Sequence, residues 1–326
     1  MALTKLTRPD RPGRRRRGRA RASASARPTG RGPWQLAWDQ LRRDRVAIGS
    51  FAMICVIAAA AIFAPVIAAL VGHGPDTQYR TSGLTPNGIP VAPNPTFLFG
   101  TDDLGRDVLV RVVYGARVSL LVGVVATGLA IAVGVLIGLT AGYFGRVVDS
   151  VLSRFIDAVL SLPYLVFAIA LVSITGPSLA VSIAVIAFFS WASVGRIVRG
   201  QVLSIKQKEF VEAARSLGAS DARIMFFEIL PNVMTPVIVY ATMLVPTSIV
   251  FEATLSFLGI GVVPPTPSWG NMLAEALPYY TVAWWFVAFP GLALMVTTLA
   301  FNLLGDSVRD AFDPRGTPFH SATDKG

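Results

Sequence analysis

VSLLVGVVATGLAIAVGVLIGLTAG, residues 118–142, runs for 25 positions without a charge. An α-helix rises 1.5 Å per residue, so about 20 apolar residues cross the ~30 Å hydrocarbon core of a bilayer. The run also places Ala126, Ala130, Gly134, Gly138 and Gly142 one every fourth position. That spacing keeps them on one helix face, where small residues let a second helix approach backbone to backbone. The stretch therefore reads as a membrane-spanning helix whose small-residue face packs inside a bundle.

Five further stretches share its length and low charge: 46–71, 155–175, 178–195, 233–251 and 282–304. One such run could be the buried helix of a large soluble protein, but six in one chain could not. Composition agrees, since 53% of the 326 residues are hydrophobic and 15% are charged, against about a quarter charged in soluble domains. The fold class is an all-α membrane protein with six transmembrane helices. The net charge of +10 sets the orientation. If the spans alternate and both termini are cytoplasmic, 25 of the 29 Lys and Arg lie inside. The four outside are Arg80, Arg106, Arg111 and Arg117. The positive-inside rule favours this arrangement.

Residues 1–33 are rich in Arg, Pro, Gly, Ala and Ser and lack apolar patterning, so they are expected to be a disordered cytoplasmic tail. Beside a membrane span, contact with anionic lipid is a better expectation for this tail than nucleic-acid binding. Residues 34–45 place Trp34, Trp38 and Leu41 at helical spacing, as in a helix lying on the inner leaflet. A six-span unit follows over 46–315, with a long external segment at 72–117 and a C-terminal tail at 316–326. The external segment starts as a Pro-rich loop, and 102–117 is expected to form a helix at the outer interface. Cys55 has no partner for a disulfide and is expected to fill space in the first span. His73 and His320 fall on opposite sides of the membrane, so no metal cluster or catalytic triad can form around them.

The largest internal cytoplasmic loop is 196–231. Within it, Phe210, Ala213, Ala214 and Leu217 recur at i, i+3, i+4, i+7, the pattern of one helix face. Gly218 follows where a helix ends in a left-handed residue. Ser220 can cap a second helix over 221–229, and Pro231 marks entry to the fifth span. The apolar stripe could sit in a groove on another protein. It could equally lie on the bilayer or on the chain's own spans. Pattern alone leaves both open.

The residues of this loop, EAARSLGASDARIMFFEILPN at 212–232, resemble the EAA loop of bacterial ABC-importer permeases. Glu212, Ala213 and Ala214 are followed by Gly218 six residues after the glutamate, and then by Ile229, Leu230 and Pro231. Three more segments resemble the C-type permease subunits of dipeptide, oligopeptide and nickel importers. They are FGTDDLGRDVLVRVVYGARVSL at 99–120, SFLGIGVVPPTPSWGNML at 256–273 and NLLGDSVRDAFDPR at 302–315. The resemblance spans 34–315, and the Arg-rich tail departs from the family's usual compact N-terminus.

The resemblance implies a type I importer permease in a bacterial inner membrane and a heterodimer with a B-type permease. It also implies two ATPase subunits or one fused tandem ATPase, and an external substrate-binding protein. Phe210, Glu212, Ala213, Ala214, Leu217, Gly218, Ile229, Leu230 and Pro231 would couple to the ATPases, which bind ATP and Mg. The chain itself has no GxxxxGK[ST] phosphate loop, so no cofactor of its own and no enzymatic activity are expected. Energy must then come from a partner or from an ion gradient. An ATP-independent transporter or channel is the alternative, and it would carry midplane charged residues or helices broken at the centre of several spans.

Two carboxylates near span ends complete the candidates. Glu252 would either line an outer gate or fix the turn that follows it, and the second role is the preferred one. Asp157 would pair with Arg154 or sit at the interface. Charged groups cost ~2.5–3.5 kcal/mol at a helix centre on insertion scales, so each must face protein or water.

Overall fold

A computed structural model describes residues 33–312. The expected tails, 1–33 apart from Pro33 and 316–326, lie outside it, as does His320. The described residues form helices and loops, with two isolated β-bridges and no strand. In chain order the helices are α1 (Pro33–Leu41), α2 (Arg45–Ile62), α3 (Ala64–Val71), α4 (Val108–Phe144), α5 (Arg146–Ser161) and α6 (Tyr164–Thr175). They continue as α7 (Leu179–Ile205), α8 (Glu209–Ser216), α9 (Asp221–Arg223), α10 (Leu230–Phe257), α11 (Trp269–Ala276) and α12 (Trp284–Phe312).

Five helical segments are long and apolar enough to span: α2, α4, α7, the continuous helix from Asp221 to Phe257, and α12. The α5–α6 pair is apolar enough to be a sixth when counted as one span, but it is bent by 86°. The bend sits at Leu162–Pro163. The residue before a proline is pushed out of the helical region, and Leu162 is extended (φ −76°, ψ 131°). The first span is also broken, at Phe63, with Pro65 in the first turn of α3.

Helices α4 and α7 share the most extensive interface and form the centre of the bundle. The α4 stripe makes this contact. A Cβ on Gly134 would lie 2.5 Å from Val194 Cβ, one on Gly138 2.5 Å from the Gly195 carbonyl, and one on Gly142 2.7 Å from Val202 Cβ. Ala126 and Ala130 are fully buried on the same helix. Around this pair, α10 packs on α4 and α7, and α12 packs on α10 and α2. Helix α1 docks on the end of α12, with Trp34 and Phe312 edge to face at 5.1 Å.

Three local expectations are corrected. Residues 102–107 form a loop rather than an interfacial helix, and 108–117 are the N-terminal end of α4. Asp107 caps this helix by accepting from Leu109 N (2.8 Å) and Val110 N (3.2 Å). The expected second loop helix at 221–229 is not separate. One α-turn is followed by a wider π-helical turn at Ile224–Ile229 that runs directly into α10, with Pro231 in its first turn. Cys55 is exposed on α2 and fills no core space.

Candidate functional site

The loop between α7 and α10 is anchored by apolar side chains. Val211, Ile224 and Ile229 are fully buried in one cluster with Leu139 and Tyr143 of α4 and Val198, Val202 and Ile205 of α7. Ala214 and Leu230 are half-buried against the same cluster. The expected single stripe is therefore divided. Ala214 turns toward the bundle with Val211, while Phe210 (38% exposed), Ala213 and Leu217 (88% exposed) face outward. Glu212, Gly218 and Pro231 are also exposed. Gly218 has φ +80°, a conformation glycine adopts at little steric cost, and it ends α8 with the next segment turned back. Leu217 stands at the tip of this turn, and Phe227 beyond it is 74% exposed.

Polar bonds hold the loop to the end of α4. Tyr143 donates its hydroxyl to Asp221 Oδ1 at 2.6 Å. Lys206 Nζ donates to the Gly142 carbonyl at 2.6 Å, and the Arg215 guanidinium lies 6.0 Å from the centre of the Tyr143 ring. Arg199 and Asp149 pair α7 with α5, Arg199 Nη2 donating at 2.8 Å. Asp157 pairs with Arg196 at 2.6 Å rather than with Arg154. In the sequence, Tyr143 follows an apolar run, Asp221 opens the helix that Ser220 caps and Lys206 is a flanking charge. Nothing local in it shows that the three converge.

At the other end of the bundle, Glu252 is fully buried. It accepts from Ser119 of α4 and from Ser256 on its own helix, both at 2.7 Å. Ser256 in turn accepts from Val262 N at 3.0 Å. This chain of bonds ties the turn after α10 to both α4 and α10, a structural role for Glu252. Glu252→Ala strands two buried hydroxyls and is expected to cost about 1–3 kcal/mol. A thermal midpoint measured in detergent should fall for Ala and fall less for Gln, which still accepts. Equal midpoints for Ala and parent would remove that role.

A buried charge cluster that no local sequence pattern announces joins α11 to the start of α4. Arg106 donates to Asp102 Oδ2 (2.5 Å) and to Glu275 Oε2 (2.9 Å). Arg111, completely buried in the first turn of α4, donates to the same Glu275 oxygen at 3.1 Å. Burial raises the Asp103 and Glu275 carboxyls above their ordinary values despite both guanidiniums. Asp102, Asp103 and Glu275 place oxygens within 4.8 Å of one another, and the two arginines supply the positive charge there. The cluster pins α11 to the start of α4.

Comparisons with known proteins come to the same place. Residues 134–317 match the family described as "Binding-protein-dependent transport system inner membrane component". Residues 32–86 match the "N-terminal TM domain of oligopeptide transport permease C". The dipeptide transport system permease protein DppC of Alkalihalophilus pseudofirmus is 41% identical over 283 residues, covering 87% of this chain and 90% of that one. DppC of Haemophilus influenzae is also 41% identical, with 87% and 95% covered. The glutathione transport system permease protein GsiD of Escherichia coli is 40% identical over 285 residues, covering 87% and 91%. Among solved structures, an inward-facing MetNI methionine ABC transporter superposes with a TM-score of 0.51. It is 19% identical and covers 63% of this chain and 96% of that one, a likeness of fold. The chain is thus a multi-pass inner-membrane protein that belongs to the binding-protein-dependent transport permeases, among the C-type permease subunits of peptide ABC importers.

Proposed function

We propose that this chain forms one half of an import path for dipeptides or similarly short peptides and is driven by cytoplasmic ATPases that seat α8 in a groove. The other half is a B-type permease, and an external binding protein delivers the substrate. Both termini lie in the cytoplasm, and ATP and Mg are held by the ATPases. The observation that carries this proposal is the outward stripe of Phe210, Ala213 and Leu217 on a loop whose opposite face is locked to α4 and α7. A bulky apolar side chain exposed at 88% on a polar, well-anchored turn is a surface that gains by being covered. The dipeptide and glutathione transport systems to which the relatives belong support the peptide substrate. A movement of α8 would pass into rigid packed helices with two arrangements.

The test is reconstitution of the chain with its partner permease, ATPases and binding protein in proteoliposomes. ATP-dependent accumulation of a labelled dipeptide is expected, and none without the binding protein. Uptake by this chain alone under an ion gradient would overturn the proposal and favour a secondary transporter. The tie between loop and bundle gives a sharper expectation. Tyr143→Phe keeps the ring in its cluster but removes the bond to Asp221, and it should lower ATP-driven uptake several-fold while ATP hydrolysis continues. One neutral-partner hydrogen bond to a charged group contributes ~1.5–3 kcal/mol, so a modest loss of thermal stability accompanies it. Uptake and hydrolysis that fall together would show that the bond serves folding alone.

A further inference from the structure

A groove of about 370 Å³ opens where α1, the start of α2 and the end of α12 meet. Its walls are Trp38, Leu41, Ala47, Ile48, Phe51, Leu304 and Val308, with Arg42 at the rim. Almost all of this lining is carbon. The Arg42 guanidinium lies 4.6 Å from the centre of the Trp38 ring, a second lining residue, which holds it at the groove. Arg43 is exposed on the same short connection, and Arg45 is exposed at the first position of α2. No acidic side chain lines the groove. The nearest acid on that connection, Asp44, is committed to capping α2 through Val46 N at 2.8 Å, and its carboxyl is held below the ordinary range chiefly by the Ser307 hydroxyl.

We propose that this groove binds one acyl chain of an anionic phospholipid whose phosphate is taken by Arg42, with Arg43 and Arg45 adding to the field. Three features select this occupant over a protein segment. The cavity is apolar within and cationic only at its rim, the polarity of a single lipid. It lies at the end of two spanning helices, at the depth where headgroup and chain meet. With the termini cytoplasmic, as proposed above, that depth belongs to the inner leaflet, whose surface is negative. The Arg-rich sequence before residue 33 adds charge of the same sign. A lipid held here would join α1 to α2 and α12 and fix the elbow at residues 42–44.

The proposal is tested on the assembled transporter purified in mild detergent. Phosphatidylglycerol or phosphatidylcholine is added, and retained lipid is read by native mass spectrometry. Retention of phosphatidylglycerol in preference to phosphatidylcholine is expected. Arg42→Gln should reduce that preference about fivefold, the equivalent of ~1 kcal/mol per cation near an anionic surface. Ile48→Trp, at a half-exposed position, fills the groove and should remove retention of both lipids with the thermal midpoint preserved. Equal retention of the two lipids, or a preference untouched by both variants, would overturn the site and leave ordinary boundary lipid. Displacement by inorganic phosphate irrespective of the acyl chain would also overturn it, by reducing the site to a surface anion contact. Lipid retention is read without transport, so it stands or falls separately from peptide uptake.

Discussion

Gly138→Leu is expected to leave almost no folded protein, whereas Gly128→Ala on the same helix should be neutral or slightly stabilising. Helix α4 meets α7 so closely at Gly138 that even a Cβ would lie 2.5 Å from the Gly195 carbonyl, 2.8 Å from Val198 Cβ and 3.0 Å from the Arg199 amide. Two of these three atoms are backbone, so no rotamer change relieves the clash. Overpacking by a methylene or two costs about 1–3 kcal/mol where neighbours can adjust. A whole leucine against backbone must force the helices apart along the stripe and open contacts at Gly134 and Gly142 as well. A typical domain holds ~5–15 kcal/mol in total, so loss of this interface is enough to unfold it. At Gly128 a Cβ meets nothing within 4 Å, and alanine gains helix propensity by ~1 kcal/mol. Size exclusion and thermal midpoints of the two variants decide the matter. A monodisperse Gly138→Leu protein that melts with the parent would show that the α4–α7 approach is looser than described.

The stripe was readable because a four-residue period of small side chains has one geometric consequence. Its counterpart was not, since Val194, Val198 and Val202 look like any apolar run, and only the fold sets them opposite Gly134, Gly138 and Gly142. The six spans could be placed by hydropathy, but their ends could not. The apolar run starts after Arg117, yet α4 begins at Val108 and carries the buried Arg111 because Glu275, 164 positions away, accepts from it. Prolines were equally ambiguous. Pro163 follows an extended Leu162 and turns the chain by 86°, while Pro236 and Pro246 sit inside α10. In the loop, the apolar period located the helix and its turn at Gly218. It could not tell the face that grips the bundle from the face left open, because Val211 and Ala214 differ from Phe210 and Leu217 only in size. Size is a property of packing partners, and these lie on other helices.

That division singles out Leu217 as the residue whose change should act on partners and not on folding. Leu217→Asp is expected to weaken association with the ATPases about 100-fold and to cut ATP-driven uptake in proportion. The side chain is 88% exposed, so its removal opens no cavity, and surface changes of this kind stay within about 0.5 kcal/mol. Covering a leucine contributes roughly 1.5–3 kcal/mol, and each 1.4 kcal/mol is tenfold in affinity. An unpaired carboxylate pressed into the same groove adds its own desolvation cost. Leu217→Met keeps volume and polarity and should restore most of the binding. Ala214 is the instructive contrast: it packs inward against the core of α4 and α7, so a bulky side chain there should lower the thermal midpoint before it touches coupling. Gly218→Val stands between the two, since φ +80° strains a β-branched residue and displaces the whole tip. The decisive measurement is ATPase binding by the purified permease pair alongside its melting curve. Full binding by Leu217→Asp would mean that the exposed stripe is not the contact, and that force enters the bundle elsewhere.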